Sequence, residues 1–268
     1  MNNLINNSND CTTTRAIALH DFRKRNFEHK EWIEYCVNLM KQYGLVPTHM
    51  GISAPSLKSE KINAFEREFK KLDKVVIQSI TSICIQATKH GLKESPETDL
   101  FSCNFDIDPK KNRTTFVLTI SDSVHALTED DINQITTKLC DFFSPSYGYY
   151  YQRPAIKGPR WYACGVAVGL EKHESERAAI DAWGEKFRTS NEYKIGDLRG
   201  IYQMNLVMDA HLDREVMPDI TLRSFIESDP SHGLLSVVDD QYNVWWVAAQ
   251  NIAQVREALR PSGIVVAV

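Results

Sequence analysis

The chain has 268 residues, 43% of them hydrophobic and 25% charged, with a net charge of -4 and a pI near 6.1. That length allows one large domain or two ordinary ones around a sizeable core. The acidic balance leaves no domain-scale basic surface for phosphate recognition, so nucleic acid is not an expected partner.

The chain opens "MNNLINNSNDCTTTR". It lacks the basic-then-apolar order of a secretory leader, so residues 1–14 read as a polar flexible tail and the expected compartment is the cytoplasm. No apolar run approaches the ~18 residues of a membrane helix. The six cysteines form no CxxC pair and mostly sit in apolar runs, so reduced thiols are expected.

"RAIALH" reads as a first strand, followed by the helix "HKEWIEYCVNLMKQYG" with Trp32, Ile33, Cys36, Val37 and Met40 at helical spacing. "VPTHMGISA" is extended, and "KINAFEREFKKLDK" is helical. "VVIQSITSICIQAT", rich in β-branched residues, reads as a long strand. "LFSCNFDID" and "RTTFVLTIS" flank the turn residues "PKKN" and form a hairpin. Thr128 caps a helix through "EDDINQITTKLCDFF", whose first-turn acids suit the helix dipole. Then comes "YGYYYQRPAIKGPRWYACG", dense in aromatics, glycines, prolines and basic residues. It reads as a long loop crossing between two halves.

A similar order resumes beyond it. "WYACGVAVGL" is a strand, "ESERAAIDAWGEKFRTS" an amphipathic helix, "GIYQMNLVM" a strand and "TLRSFIES" a short helix opened by Thr221. "GLLSVVDD" and "NVWWVAAQ" make a hairpin, "NIAQVREALRPSG" a helix capped at Asn251, and "IVVAV" a last strand. The expected fold is α+β, with two similarly ordered halves (strand, helix, strand, helix, hairpin, helix) and a mostly antiparallel sheet. The expected units are residues 15–143 and 161–268, joined by a connecting loop over 144–160. They form either two subdomains or one continuous sheet.

The motifs that announce common chemistries are missing: no phosphate loop, no GxGxxG, no GxSxG and no HExxH. Two clusters could hold a metal. "DAHLD" would place Asp209, His211 and Asp213 on one face of a strand, and "NFDID" would do the same for Asp106 and Asp108. Each is also an ordinary loop or hairpin end, and no catalytic residue, metal or cofactor is assigned. Adjacent Trp245 and Trp246 on one strand must point to opposite faces, one to the core and one to a covering helix or a surface. "TEDD", "KESPETD" and "VVDDQ" are exposed-looking acidic segments of the kind that steer a basic protein partner.

Three further runs, "YGYYYQRPAIKGPRWYACGVAVGL", "YKIGDLRGIYQMNLVMDAHL" and "LRSFIESDPSHGLLSVVDDQYNVWWVAAQNIAQVREALRPSGIVV", carry a resemblance. Through Tyr147–Gly148, Gly158–Pro159, Trp161, Leu198–Asn205 and Val255–Gly263, residues 145–266 resemble bacterial immunity proteins. Those are encoded beside polymorphic toxins or type VI secretion effectors. The resemblance implies a non-enzymatic inhibitor that binds a cognate toxin domain and blocks its active site or holds it inactive. Expected contacts are Tyr149, Tyr150, Tyr151, Arg153 and Lys157 in the connecting loop. Glu129, Asp130 and Asp131 at the acidic helix start, and Asp239, Asp240 and Tyr242 at the hairpin tip, complete the set. The alternative readings are a metal-dependent enzyme of unlisted class using Asp209, His211 and Asp213, or a non-catalytic ligand-binding or structural module that forms a homo-oligomer.

Overall fold

The computed structural model describes residues 12–23, 28–54, 63–72, 80–89, 99–108, 113–168, 174–189, 196–239 and 242–266. Asp240, most of the polar tail, the 109–112 turn and most of "KESPETD" lie outside these residues. Among the described residues, ten strands form one sheet in which every adjacent pair is antiparallel. The protein is α+β.

The first strand, β1 (Thr13–Phe22), lies between β6 (Arg113–Ser121) and β7 (Pro145–Pro154). Beyond β6 come β5 (Asp99–Asp108), β4 (Ser82–Thr88), β2 (His49–Ser53) and the two-residue β3 (Asn63–Ala64). Beyond β7 come β8 (Met204–Val207), β12 (Tyr242–Trp246) and β11 (Leu234–Asp239), which forms the other edge. A small pair, β9 (Glu215–Met217) and β10 (Ile220–Thr221), stands apart. The two expected halves thus share one sheet and meet at β1 and β7, in register from Thr13 opposite Pro154 to Phe22 opposite Pro145.

Side-chain alternation sorts the sheet into two cores. Ile17, Leu19, Phe105, Phe116 and Tyr150 face one side. There they meet α1 (His29–Gln42) through Trp32 and Met40, α2 (Phe65–Phe69) through Phe65, and α3 (Glu129–Phe143) through Leu139 and Phe143. Phe143 stacks on Phe22 with ring centroids 4.7 Å apart. Ala16, Ala18, Tyr147, Tyr149, Tyr151 and Trp245 face the opposite side. That side is covered by α4 (Pro159–Ala163), α5 (Glu174–Thr189), α6 (Asp209–Leu212), α7 (Leu222–Ser228) and α8 (Ile252–Leu259). Trp245 is buried in the second core, whereas Trp246 is half-buried against the first.

The caps at Thr128 and Thr221 form as the sequence predicts. Thr128 and Asp131 make a reciprocal capping box, and the Thr221 hydroxyl accepts from the Ser224 N–H. Other expectations are corrected. "YGYYYQRP" is a strand near the middle of the sheet and not a loop, because its alternating rings fill both cores. Trp161 opens no strand. It lies in α4, which the left-handed Gly158 and Pro159 start as a helix. Of "IVVAV", the described residues 264–266 contribute one parallel bridge, Val265 with Leu198, and no longer ladder. Residues 75–79 of the long expected strand lie outside the described residues.

The α4 end and α5 cross at backbone contact. A Cβ on Gly184 would sit 2.3 Å from the Gly165 carbonyl oxygen. Helix propensity alone favours alanine over glycine by about 1 kcal/mol. Gly184→Ala is nevertheless expected to destabilise the protein by about 1–3 kcal/mol, because overpacking at a backbone contact exceeds that gain. Chemical denaturation checks the sign: a variant as stable as the parent would contradict this crossing.

Candidate protein-binding interface

The tyrosines of β7 are buried, and each hydroxyl has a partner. Tyr149 accepts from Arg199 Nη1 at 2.8 Å, and Tyr147 from the Arg199 backbone N–H at 2.9 Å. Tyr151 donates to the Pro159 carbonyl at 2.6 Å. Tyr150, on the other face, accepts from Arg15 and Gln152. Arg199 itself is fully buried. Its guanidinium lies 3.9 Å from the Tyr162 ring centroid and 5.2 Å from that of Trp183, and Nη1 also donates to the Ala163 carbonyl. Aromatic faces, the Tyr149 hydroxyl and the Ala163 carbonyl therefore surround this charge. The neighbouring Asp197 carboxylate, also buried, pairs with Lys186 and Arg214 and so ties α5 to the segment carrying Arg199.

His20 stacks on Tyr147 and Tyr149 in the same layer. Burial, with the Arg199 and Arg113 charges behind it, lowers its pKa to about 3, so the folded protein holds a neutral imidazole.

The edge at β11 differs from this interior. The strand reads "LLSVVD", without lysine, arginine or proline, and a bulge separates Val237 from Asp239. Leu234 is 69% exposed and Val237 71%, so side chains on this edge stand uncovered. The opposite edge ends in the two-residue β3, which runs directly into α2. Short and covered edges are the usual protection against unwanted strand pairing; β11 is six residues long, and among the described residues none pairs with its outer side.

Beside β11 lies an open groove of about 570 Å³. Ile226, Leu235, Trp246 and Val247 supply its apolar walls, and Glu129, Glu227 and Asp229 stand around it. Asp229 accepts from the Ser231 backbone N–H at 2.7 Å, which lowers its pKa and keeps the carboxylate charged. The turn that shapes the groove needs glycine. Gly233 has φ +115°, and a Cβ there would lie 2.2 Å from the Trp246 carbonyl oxygen. Trp245 donates from Nε1 to the His232 carbonyl at 2.8 Å and holds the same turn from below.

The structure divides the expected contact residues. Tyr149, Tyr150, Tyr151 and Arg153 are buried in the sheet and its covering layer, a correction that follows from β7 being central. Arg153 pairs with Glu176 at 2.6 Å and lies over Tyr162, and Lys157 pairs with the same carboxylate at 2.9 Å. Tyr242 is buried in the first core, with Arg23 over its ring. Asp131 is occupied by its cap and by His125. Glu129 and Asp130 are exposed, and Glu129 reaches the groove. Asp239 ends β11 at the hairpin, while Asp240 lies outside the described residues.

The Asp209, His211 and Asp213 cluster comes apart in three dimensions, while Asp106 and Asp108 stay two apart on β5, each beside an arginine. "DAHL" is a helical turn, so Asp209 points to Arg223, His211 is buried against Tyr147, and Asp213 is exposed at the helix end. Asp106 faces Arg160 and Asp108 pairs with Arg113. Among the described residues no three His, Cys, Asp or Glu side chains gather as a metal site, and no helix is long and apolar enough to cross a membrane. Leu234, Val237, Glu227 and Asp229 were not singled out from the sequence. For Leu234 and Val237 the signal is a strand pattern lacking lysine and proline, which acquires meaning once β11 is known to be an edge; Glu227 and Asp229, at the end of α7, carry no such signal.

No family model matches the sequence, and no curated protein does. Among solved structures, the chain is similar to the Pseudomonas aeruginosa T6SS protein PA0821. The TM-score is 0.61 at 11% identity, over 95% of this chain and 73% of that one. A likeness at that identity is one of fold. A second structure is the toxic C-terminal tip of CdiA from Pseudomonas aeruginosa in complex with immune protein. It aligns with a TM-score of 0.24 at 8% identity, over 54% of this chain and 88% of that one.

The buried layer makes two predictions. His20 is neutral when folded and takes a proton near pH 6.5 when unfolded, so its contribution is complete above pH 6.5 and is lost as pH falls toward 3. His20→Gln should flatten the fall in stability below pH 6 relative to the parent, measured by denaturant titration across pH 4–7; an unchanged slope would contradict the neutral imidazole. Tyr150→Ala with Arg153→Ala should lower stability by several kcal/mol, as loss of a large core side chain does. A pair of variants that melts like the parent would restore these residues to the surface.

Proposed function

We propose that this protein is an immunity protein: a non-enzymatic inhibitor that binds a cognate bacterial toxin domain in the cytoplasm. The observation that carries the reading is the uncovered β11 edge beside an apolar groove ringed by Glu129, Glu227 and Asp229. Helices cover both faces of the sheet at β8 and β12, whereas Leu234 and Val237 of β11 stand exposed on opposite faces and offer a partner an apolar margin. The likeness in fold to a T6SS protein and the sequence resemblance of residues 145–266 to immunity proteins support the same reading.

The groove offers apolar contact at its centre and charge at its rim, the usual division in protein interfaces. None of its three acids is neutralised by an ion pair among the described residues. A basic toxin domain would therefore be drawn toward the groove, and association would slow as salt rises. A complex of ordinary strength buries roughly 1,200–2,000 Å² in total, more than the groove alone supplies, so contacts extend along β11 and the Glu129 end of α3.

Co-expression with the toxin domain encoded by the adjoining gene tests the proposal. The expected result is rescued growth and a complex that co-purifies, with Glu227→Lys and Asp229→Lys together weakening it at least tenfold at low salt. Cell death without a complex would sink the proposal.

A further inference from the structure

We propose that the partner docks by strand addition: an extended segment bearing lysine or arginine extends the sheet beyond β11. This rests on the binding role just proposed and specifies its geometry.

Three observations converge. Among the described residues β11 hydrogen-bonds only to β12, so its outer N–H and C=O groups face away from the sheet. An outer row of this kind is a template for another strand. Leu234 and Leu235 oppose Trp246 and Trp245, so successive side chains of β11 point to opposite faces. An added strand alternates in the same way and would lay apolar side chains against Leu234 on one face and Val237 on the other. The third observation is charge. Glu227 and Asp229 flank the groove at one end of the strand.

That charge decides between occupants. A second copy pairing β11 with β11 about a two-fold axis would bring the same acidic edge against itself. Like charges across a strand pair are destabilising. A basic segment meets the same groups favourably. The six residues of β11 span about 20 Å, so a partner segment of about that length is held. Main-chain pairing supplies binding without demanding one side-chain sequence, and the groove and acids select for apolar and basic positions.

The test is amide hydrogen exchange of this protein alone and with the toxin domain encoded by the adjoining gene. Strand addition predicts that exchangeable amides within Leu234–Asp239 slow at least tenfold in the complex. Leu234→Lys with Val237→Lys should melt like the parent, since both side chains are exposed, and should weaken the complex at least tenfold. A complex that forms with protection elsewhere and none on β11 overturns strand addition while leaving the binding role intact. Failure to form any complex overturns both.

Discussion

The tyrosine-rich strand β7 is the constraint on which the rest of the molecule depends. It is the seam between the two halves of the sheet, pairing with β1 along nearly its whole length and with β8 on its other side. A strand in that position must bury both faces, and tyrosine can do so only if its hydroxyl finds a partner. Arg199, Arg15, Gln152 and the Pro159 carbonyl meet that requirement. The position of Arg199 in turn depends on Leu198, whose backbone N–H and C=O bond to the segment after α8. The seam thus draws α4, α5 and the C-terminal segment onto one face of the sheet.

Removing the Tyr149 hydroxyl would take a partner from the buried Arg199 guanidinium, and buried charge without compensation is expensive. The arrangement therefore specifies one packing of the second half against the first. It also explains why aromatic and basic residues that resemble interface anchors in the sequence belong to the interior. Tyrosine and arginine are favoured in both settings for the same reason, a large flat surface with a polar end.

Much of the element order was legible from periodicity: β1, α1, the β5–β6 hairpin, α3 with its Thr128 cap, and the β11–β12 hairpin. The connection over residues 144–160 was not. "YGYYYQRP" alternates large rings with a glycine and a glutamine, which obscures the apolar alternation of a strand buried on both faces. "PRWYA" reads as extended by composition, and only the left-handed Gly158 before Pro159 turns it into a helix. Of the expected contact residues, Glu129 alone reaches the groove, because a first-turn acid is exposed wherever its helix packs. Edge status could not be read for β11, since the order β7–β8–β12–β11 depends on pairings between residues far apart in the chain.

The margin at β3 is short and closed by α2, while the margin at β11 is six residues long, apolar and flanked by acids. Site-specific photo-crosslinking in cells that also produce the toxin tests this most directly. One crosslinking residue replaces Leu234 on the β11 edge, and another replaces Val46, equally exposed at 73% beside the opposite edge. An adduct with the toxin from position 234 and none from position 46 is the predicted result. An adduct from position 46 with none from position 234 would contradict it.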